Sequence, residues 1–245
     1  MNGNIIRLSV VDSTNIYTTN LLSQTDIVDW TVICAEEQIA GKGQRGKSWE
    51  SRKGENLLCS IVYRPKTVTI QSQFLISMVT SITVVELLES YGLNPAIKWP
   101  NDILIRGQKI CGLLIENQWS KDLIETSIIG IGINVNQVEF PTFEWPATSI
   151  AIELGVETNL QSVLKRLMTL IEENVFSISN GSSLIINKYT EKLFGIGQQV
   201  TFLLDNKLIE GRFLGVNQKG AIQIDAGYGV KSYVNGEIRL VNTLP

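Results

Sequence analysis

The chain has 245 residues, 44% of them apolar, a net charge of −3 and a pI near 5.2. That is enough apolar material for one large domain, alone or with a small companion. The acidic balance excludes a nucleic-acid surface spread over the whole molecule but leaves room for a local cationic pocket. The chain contains no histidine, so Ser-His-Asp and Cys-His catalysis and imidazole-ligated metals are excluded, and charge must be handled by Lys, Arg, carboxylates and backbone amides.

In chain order, Ile5–Val11 alternates as a strand does, and Asp12 or Ser13 caps a short helix ending near Leu22. Residues 31–36 form a second strand candidate. Between it and the apolar run 57–63 stands Gly41-Lys42-Gly43-Gln44-Arg45-Gly46-Lys47-Ser48-Trp49. Its glycines let successive backbone N–H groups turn toward one anion and its cations add full charges, so the run reads as a phosphate cradle walled by Trp49. Residues 41–48 also satisfy the P-loop pattern, but a P-loop runs into a helix, whereas residues 50–63 read as loop and strand. Three readings of the run stay open: a P-loop, a charged hairpin with no ligand, and a different nucleotide or acyl-phosphate loop.

Residues 70–91 predict a long amphipathic helix with Phe74, Met78, Ile82 and Val85 on one face, stopped by Gly92 and Pro95. Strand candidates follow at 102–106, 109–116 and 123–135, joined by turns short enough for antiparallel hairpins. Lys98-Trp99-Pro100-Asn101-Asp102 places a cation, an aromatic and a carboxylate on a turn entering the first of them, where a plain Pro-Asn-Asp turn is the alternative. Lys109 opens the next strand, across from the neighbourhood of Asp102, and Gly112 leaves space over the sheet. Gly130, Gly132 and Asn134 share one strand face, which favours a ligand lying along it over a bulge or a close helix. Residues 160–178 predict a second helix with Leu164, Leu167, Met168, Ile171 and Val175 buried, and 183–194 a third. From 198 to 241 short strands alternate with turn residues, as in a small barrel leaning on the main body. The class is α+β, divided at 1–194 and 195–245.

Cys34, Cys59 and Cys111 are odd in number, widely spaced and set in apolar runs, so they read as buried free thiols. No apolar stretch reaches membrane-span length and the first fifteen residues lack signal-peptide character, which predicts a cytoplasmic protein.

Ser13-Thr14-Asn15, Gln38 with the glycine run to Trp49, Lys98 to Asp102, Lys109 to Leu114 and Gly130 to Val135 occur in one order and spacing. Over residues 10–136 the chain thereby resembles the biotin protein ligase family, the ligases that attach biotin to the carrier of acetyl-CoA carboxylase. The C-terminal unit ending Gly236-Glu237-Ile238 is similar to that family's SH3-like domain. The resemblance implies a mixed, largely antiparallel central sheet with flanking helices, of the class II aminoacyl-tRNA synthetase and biotin ligase kind. It also implies a two-step reaction: biotin and Mg-ATP give biotinyl-5′-AMP and pyrophosphate, and a lysine of a biotin carboxyl carrier protein then takes the biotinyl group.

By the same resemblance, Ser13, Thr14 and Gln38 meet the ureido ring beside the Lys42 backbone, with Asn15, Gly41 and Gly43 in the biotin-binding set. Trp49, Gly112, Leu114, Gly130 and Gly132 line the slot for the valeryl chain. Lys109 bridges the carboxylate and the α-phosphate. Arg45 and Lys47 meet the triphosphate, Gln44, Asn101 and Trp49 belong to the ATP-binding set, and Asn134 contacts adenine. Asp102 stands near Mg²⁺ or the incoming amine. Lys109, Asp102 and Arg45 are thus the catalytic candidates, Mg²⁺ comes with ATP, and no bound organic cofactor is implied. Gln44 and Lys42 stand where many members carry arginine, which predicts faster loss of the adenylate. Trp145 either caps the adenine or is a surface aromatic. Only twelve residues precede Ser13, so a DNA-binding repressor domain is not expected, and exposed edge strands offer a route to a homodimer. The rival readings are a lipoate or octanoate ligase of the same fold, whose arginine-pair, triple-glycine and histidine features this chain lacks, and a non-catalytic biotin-binding protein.

Overall fold

A computed structural model describes residues 4–176, 178 and 182–241. The two parallel strands β1 (Ile5–Val11) and β2 (Val32–Gln38) are joined by helix α1 (Thr14–Gln24), the crossover that parallel neighbours require. Strands β3 (Leu57–Tyr63), β4 (Pro95–Lys98), β5 (Asp102–Ile105), β6 (Gln108–Ser120) and β7 (Leu123–Ile133) add antiparallel partners, giving the order β1-β2-β3-β7-β6-β5-β4. The sheet is mixed and largely antiparallel, as expected. Helix α1 covers one face; α2 (Phe74–Glu89) and α4 (Leu160–Val175) cover the other, α5 (Ser182–Glu191) packs on α2, and a short α3 (Ile150–Leu154) precedes α4. Strand β3 is buried at every position because both its faces are covered, which is why its sequence is an unbroken apolar run.

Four expectations change. The helix at 70–91 is a 3₁₀ turn, Ile70–Ser72, followed by α2, and it is buried nearly all round rather than along a stripe, being packed on by the sheet, α4 and α5. Thr80, Ser81 and Thr83 enter that core by donating to the carbonyls of Ile76, Ser77 and Val79. Second, Ile70–Glu89 is, at 20 residues, long and apolar enough to cross a membrane by length and composition, but here it is the mostly buried core helix. Third, the helix at 160–178 ends at Val175, and Val163 and Leu170 join its buried face while Met168 and Val175 stay half-buried. Fourth, the C-terminal unit is an open sheet rather than a closed barrel. Its strands β8 (Gln199–Leu204), β9 (Lys207–Val216), β10 (Ile222–Asp225), β11 (Val230–Tyr233) and β12 (Ile238–Leu240) run in the order β11-β10-β9-β8-β12, with β11 and β12 as unjoined edges. Strand β4 and helix α3 were not anticipated.

The open sheet shares its apolar core with the main body, Phe202 and Phe213 meeting edge to face at 6.0 Å within one continuous cluster. Trp99 Nε1 donates to the Gly220 carbonyl at 2.9 Å, and Phe74 lies where a Cβ on Gly220 would sit. The connecting residues 192–194 lie along the β4 edge, with Ile97 N donating to Lys192 O and Phe194 N to Ile97 O. That edge is therefore covered, while β1 keeps its outer side open among the described residues. The three cysteines are buried and free, as expected.

Candidate active site

A cavity of about 240 Å³ opens where the central sheet, the glycine loop and the C-terminal sheet meet. Two adjacent rows of paired residues cross the sheet beneath it. One row runs Lys98, Asp102, Gly112, Gly132, Leu58; the next runs Leu114, Gly130, Ser60, Ile33. Because residues paired across strands share a face, charge at one end of the first row meets an apolar, glycine-lined stretch at its middle.

The N-terminus of α1 supplies a polar corner. Ser13 occupies the cap position, is buried and makes no cap hydrogen bond, so its hydroxyl is left to the cavity. Thr14 N and Oγ1 donate to Gln38 Oε1 at 2.8 and 3.1 Å. Asn15 Nδ2 donates to Glu116 Oε2 at 2.7 Å and Leu114 O at 3.2 Å, while its Oδ1 lies 2.6 Å from the Ser60 hydroxyl. Such a network fixes donors and acceptors before any ligand arrives.

The glycine loop is a hairpin. Lys42 and Ser48 pair, Gly43 N donates to Lys47 O and Trp49 N to Gly41 O, and Gln44–Gly46 form the turn. No helix follows it before β3, which removes the P-loop reading. The hairpin also uses its own amides for pairing, so the expected cradle of free N–H groups is smaller than the glycines suggested, and the loop's cations carry its positive field. Trp49 folds back onto the paired glycines: an added Cβ would fall 2.8 Å from its ring at Gly112 and 2.7 Å at Gly132. At Gly130 the equivalent space holds Asn15 Oδ1, and at Gly41 an added Cβ would strike Trp49 O. The glycines thus admit protein side chains as well as leaving a slot. The indole Nε1–H of Trp49 is buried without a partner, an open donor facing this region.

Lys109 reaches the cavity through a bulge. Asp102 pairs with Gly112 and Ile103 with Cys111, but Leu104 pairs with Lys109, leaving Ile110 as the extra residue. Regular alternation would have sent Lys109 to the opposite face; the shift returns it to the face of Asp102. Its backbone is then held from the other side, Lys109 N donating to Pro146 O and Thr148 N to Lys109 O. Lys109 Nζ lies 2.6 Å from Asp102 Oδ1, and Lys98 Nζ 2.7 Å from Asp102 Oδ2. Burial acts to raise the Asp102 carboxyl, but the two lysines outweigh it and hold it below its ordinary value. Lys109 stands 5.3 Å from the Trp49 ring centroid and Lys98 4.8 Å from that of Trp145. Six cations, Lys42, Arg45, Lys47, Lys98, Lys109 and Arg239, line the cavity against the carboxylates of Asp102 and Glu144, in a chain that is acidic overall.

The structure therefore gathers Ser13, Thr14, Asn15, Gln38, Lys42, Gly43, Gln44, Arg45, Lys47, Trp49, Asn101, Asp102, Lys109, Gly112, Leu114, Gly130 and Gly132 around one cavity, with Gly41 just behind it. Asn134 is the exception. Its side chain is buried outside the cavity lining, donating to Thr148 O at 3.0 Å and Lys109 O at 3.4 Å, so it braces the segment that holds Lys109. Asn101 lines the cavity, yet its amide donates to Leu113 O at 2.8 Å, closing the turn into β5. Asp102 has both oxygens engaged by lysines, and among the described residues no group of three His, Cys, Asp or Glu gathers, so the donor set does not fit a metal held by the protein. Trp145 is buried against Phe194 and lines the cavity rather than lying on the surface. Sequence reasoning singled out Lys98 as the cation of its turn but gave it no role, and it did not place Asn235, Gly236 and Arg239 of the C-terminal unit, which approach the site only through tertiary docking.

A model of the biotin/lipoate A/B protein ligase family matches residues 8–134, and one of the biotin protein ligase C-terminal domain matches 195–241. The chain is 29% identical to the bifunctional ligase/repressor BirA of Bacillus subtilis over 98% of its own length and 75% of that protein's. It is 25% identical to a biotin–[acetyl-CoA-carboxylase] ligase of Mycobacterium tuberculosis over 90% and 84% of the respective chains. The biotin protein ligase of Aquifex aeolicus, solved with biotin and ATP, superposes with a TM-score of 0.81 at 30% identity over 97% of this chain and 98% of that one. Matched by the ligase model over more than half of its length, the chain belongs to the biotin/lipoate A/B protein ligase family.

Proposed function

We propose that the protein is a biotin protein ligase that joins biotin to ATP as biotinyl-5′-AMP and then transfers the biotinyl group to a lysine amine of a carrier domain. The observation that carries this is Lys109, pinned to Asp102 at 2.6 Å at the charged end of a glycine-floored slot. In the first step an oxygen of the biotin carboxylate forms a bond to the α-phosphorus while the bond to pyrophosphate breaks. Two like charges about 4 Å apart cost roughly 4 kcal/mol at an effective dielectric near 20. A fixed ammonium between them offsets that repulsion, and Lys109 sits where the slot meets the cationic rim. In the second step the carrier ammonium gives one proton to solvent, the freed amine nitrogen attacks the acyl carbon, AMP leaves, and the second proton passes to solvent. Asp102, with its depressed pKa, is a weak base; it orients Lys109 and attracts the incoming ammonium.

Thr14, Asn15 and Gln38 supply the polar corner suited to a ureido ring, and Trp49 the wall of the valeryl slot. Lys42 and Lys47 face the triphosphate side, whereas Arg45, expected there from the sequence, is engaged with the carbonyls of Asn235 and Gly236. Mg²⁺ would come with ATP and offset phosphate charge, with no protein carboxylate cluster among the described residues to hold it. With this activity go a cytoplasmic location, a carrier domain of acetyl-CoA carboxylase or a related carboxylase as substrate, catalysis by residues 1–194, an SH3-like role for 195–245, and pairing of a second copy at the open β1 edge. Incubation with biotin, ATP, Mg²⁺ and a carrier domain, followed by intact-mass measurement, tests the reading. One biotinyl group per carrier, dependent on ATP, is expected. Transfer of lipoate instead would favour the lipoate ligase, and binding of biotin without ATP-dependent transfer would leave a binding protein.

A further inference from the structure

The tip of the glycine loop is tied to the C-terminal sheet. Arg45 Nη1 donates to Gly236 O and Nη2 to Asn235 O, both at 3.2 Å, and Asn235 Nδ2 donates to Gln44 Oε1 at 3.2 Å. Three hydrogen bonds therefore converge on one turn some 190 residues along the chain. On the facing rim Arg239, four residues after Asn235, pairs with Glu144 of the 141–146 loop. One short stretch of the C-terminal unit thus grips both loops that flank the cavity.

The fit is specific. Arg45 adopts the left-handed region at φ 57°, ψ 42°, a conformation that is unfavourable for a non-glycine residue and needs contacts to persist. Gly236, at φ 108°, has no Cβ where the guanidinium lies: an added one would fall 1.3 Å from Arg45 Nη2. Arg45 is here engaged with carbonyls, so Lys42 and Lys47 are the loop cations left to face a polyphosphate.

We propose that Asn235 and Gly236 are positioning residues that dock the glycine loop over the cavity, so that the C-terminal sheet sets how long the acyl-adenylate stays bound. The kinetic part rests on the ligase reading; the docking part rests on geometry alone.

Two measurements on the full chain separate these. Without ligands, trypsin cleavage after Arg45 and Lys47 should be about fivefold faster in Asn235→Ala, the loss of one amide hydrogen bond worth about 1 kcal/mol. Cleavage elsewhere should be unchanged, since Asn235 is exposed and lies on a turn. Asn235→Asp, which replaces the donor NH₂ by an acceptor, should behave like the alanine variant. Equal cleavage in all three proteins overturns the docking. With biotin and Mg-ATP, chase of labelled adenylate should show release about fivefold faster in Asn235→Ala. The double variant Gln44→Ala with Asn235→Ala should release no faster than Gln44→Ala alone, because the shared contact is already gone. Multiplicative effects would overturn the coupling. If the unaltered protein makes no adenylate, the ligase reading fails and the proteolysis alone decides the docking.

Discussion

Lys109 and Asp102 illustrate how one buried pair serves both stability and chemistry. Asp102 is 7% exposed and touches two lysines, so each cation is fixed by the same carboxylate. Replacing Lys109 by alanine should leave the fold in place, with Lys98 still pairing Asp102, while adenylation measured by pyrophosphate release falls about 10²- to 10³-fold. Release near the unaltered rate would remove Lys109 from the reaction. Asp102→Asn acts differently, because it strands two ammonium groups in a half-buried site. A loss of about 3 kcal/mol is expected, at the low end for a broken buried pair since Lys109 keeps some solvent. The sign of the pH dependence follows from the depressed carboxyl. Its folded-state pKa lies below the unfolded value, so its contribution is present above the ordinary carboxylate range and disappears as pH falls through the folded value. Urea denaturation from neutral to acid pH should therefore show a smaller gap between Asp102→Asn and the unaltered protein as the pH drops. A gap that widens on acidification would contradict the depressed pKa.

At the scale of elements, the glycine pairs give a ranked prediction. A Cβ at Gly130 would lie 2.4 Å from Asn15 Oδ1 and 2.8 Å from the Leu114 carbonyl, which is backbone of the neighbouring strand. At Gly132 the obstacle is the Trp49 ring, a side chain that can lift away. Overpacking costs typically 1 to 3 kcal/mol, and the rigid obstacle belongs at the upper end. Gly130→Ala should thus lower the thermal midpoint more than Gly132→Ala, while Gly132→Ala alters the tryptophan emission more; the reverse order would show that Trp49, not the sheet, is the stiffer neighbour. The glycines were legible in the sequence as a place of close approach, but what approaches was not. Strand alternation put Gly130, Gly132 and Asn134 on one face, and the asparagine nonetheless turns to Thr148, because the strand ends at Ile133 and alternation ends with it. The Lys109 bulge was equally hidden, since an extra residue in a ladder leaves no mark on an apolar run such as Ile110-Cys111. The strands themselves were readable where hairpin turns bracket them, at β5 to β7. Strand β4 was missed because Pro95 reads as a helix stop and the segment holds four residues.

For the whole molecule, the site is completed by parts far apart in sequence. The polar corner comes from residues 13–38, the cation pair from 98–109, the glycine floor from 112–132, and one rim from 235–240. The α+β character could be read from the pattern of elements and turn spacing, but the contribution of the C-terminal unit to the rim depends on docking that no local pattern encodes. Gln44 shows the consequence: read alone, it weakens the loop's charge, whereas in the folded chain it gains Asn235 as a partner.

The shared core also makes a prediction about ligand response. Because Phe202 and Phe213 belong to the same apolar cluster as the main body and Trp99 is bonded to Gly220, the two parts should unfold together. A ligand held between them then stabilises both. At a hundredfold excess over its Kd, such a ligand contributes ~2.7 kcal/mol. For a chain of this size that is a rise in Tm of about 5 to 10 °C. Biotin with Mg-ATP should reach or exceed that rise, since the adenylate formed in place bridges slot and cationic rim, whereas biotin alone should give less. Lys109→Ala should keep the response to biotin and lose the increment from ATP. Differential scanning calorimetry distinguishes the outcomes. Two resolved transitions would mean that the sheets are not one cooperative unit, and an ATP increment surviving in Lys109→Ala would mean that the nucleotide is held without the lysine that joins it to the acid.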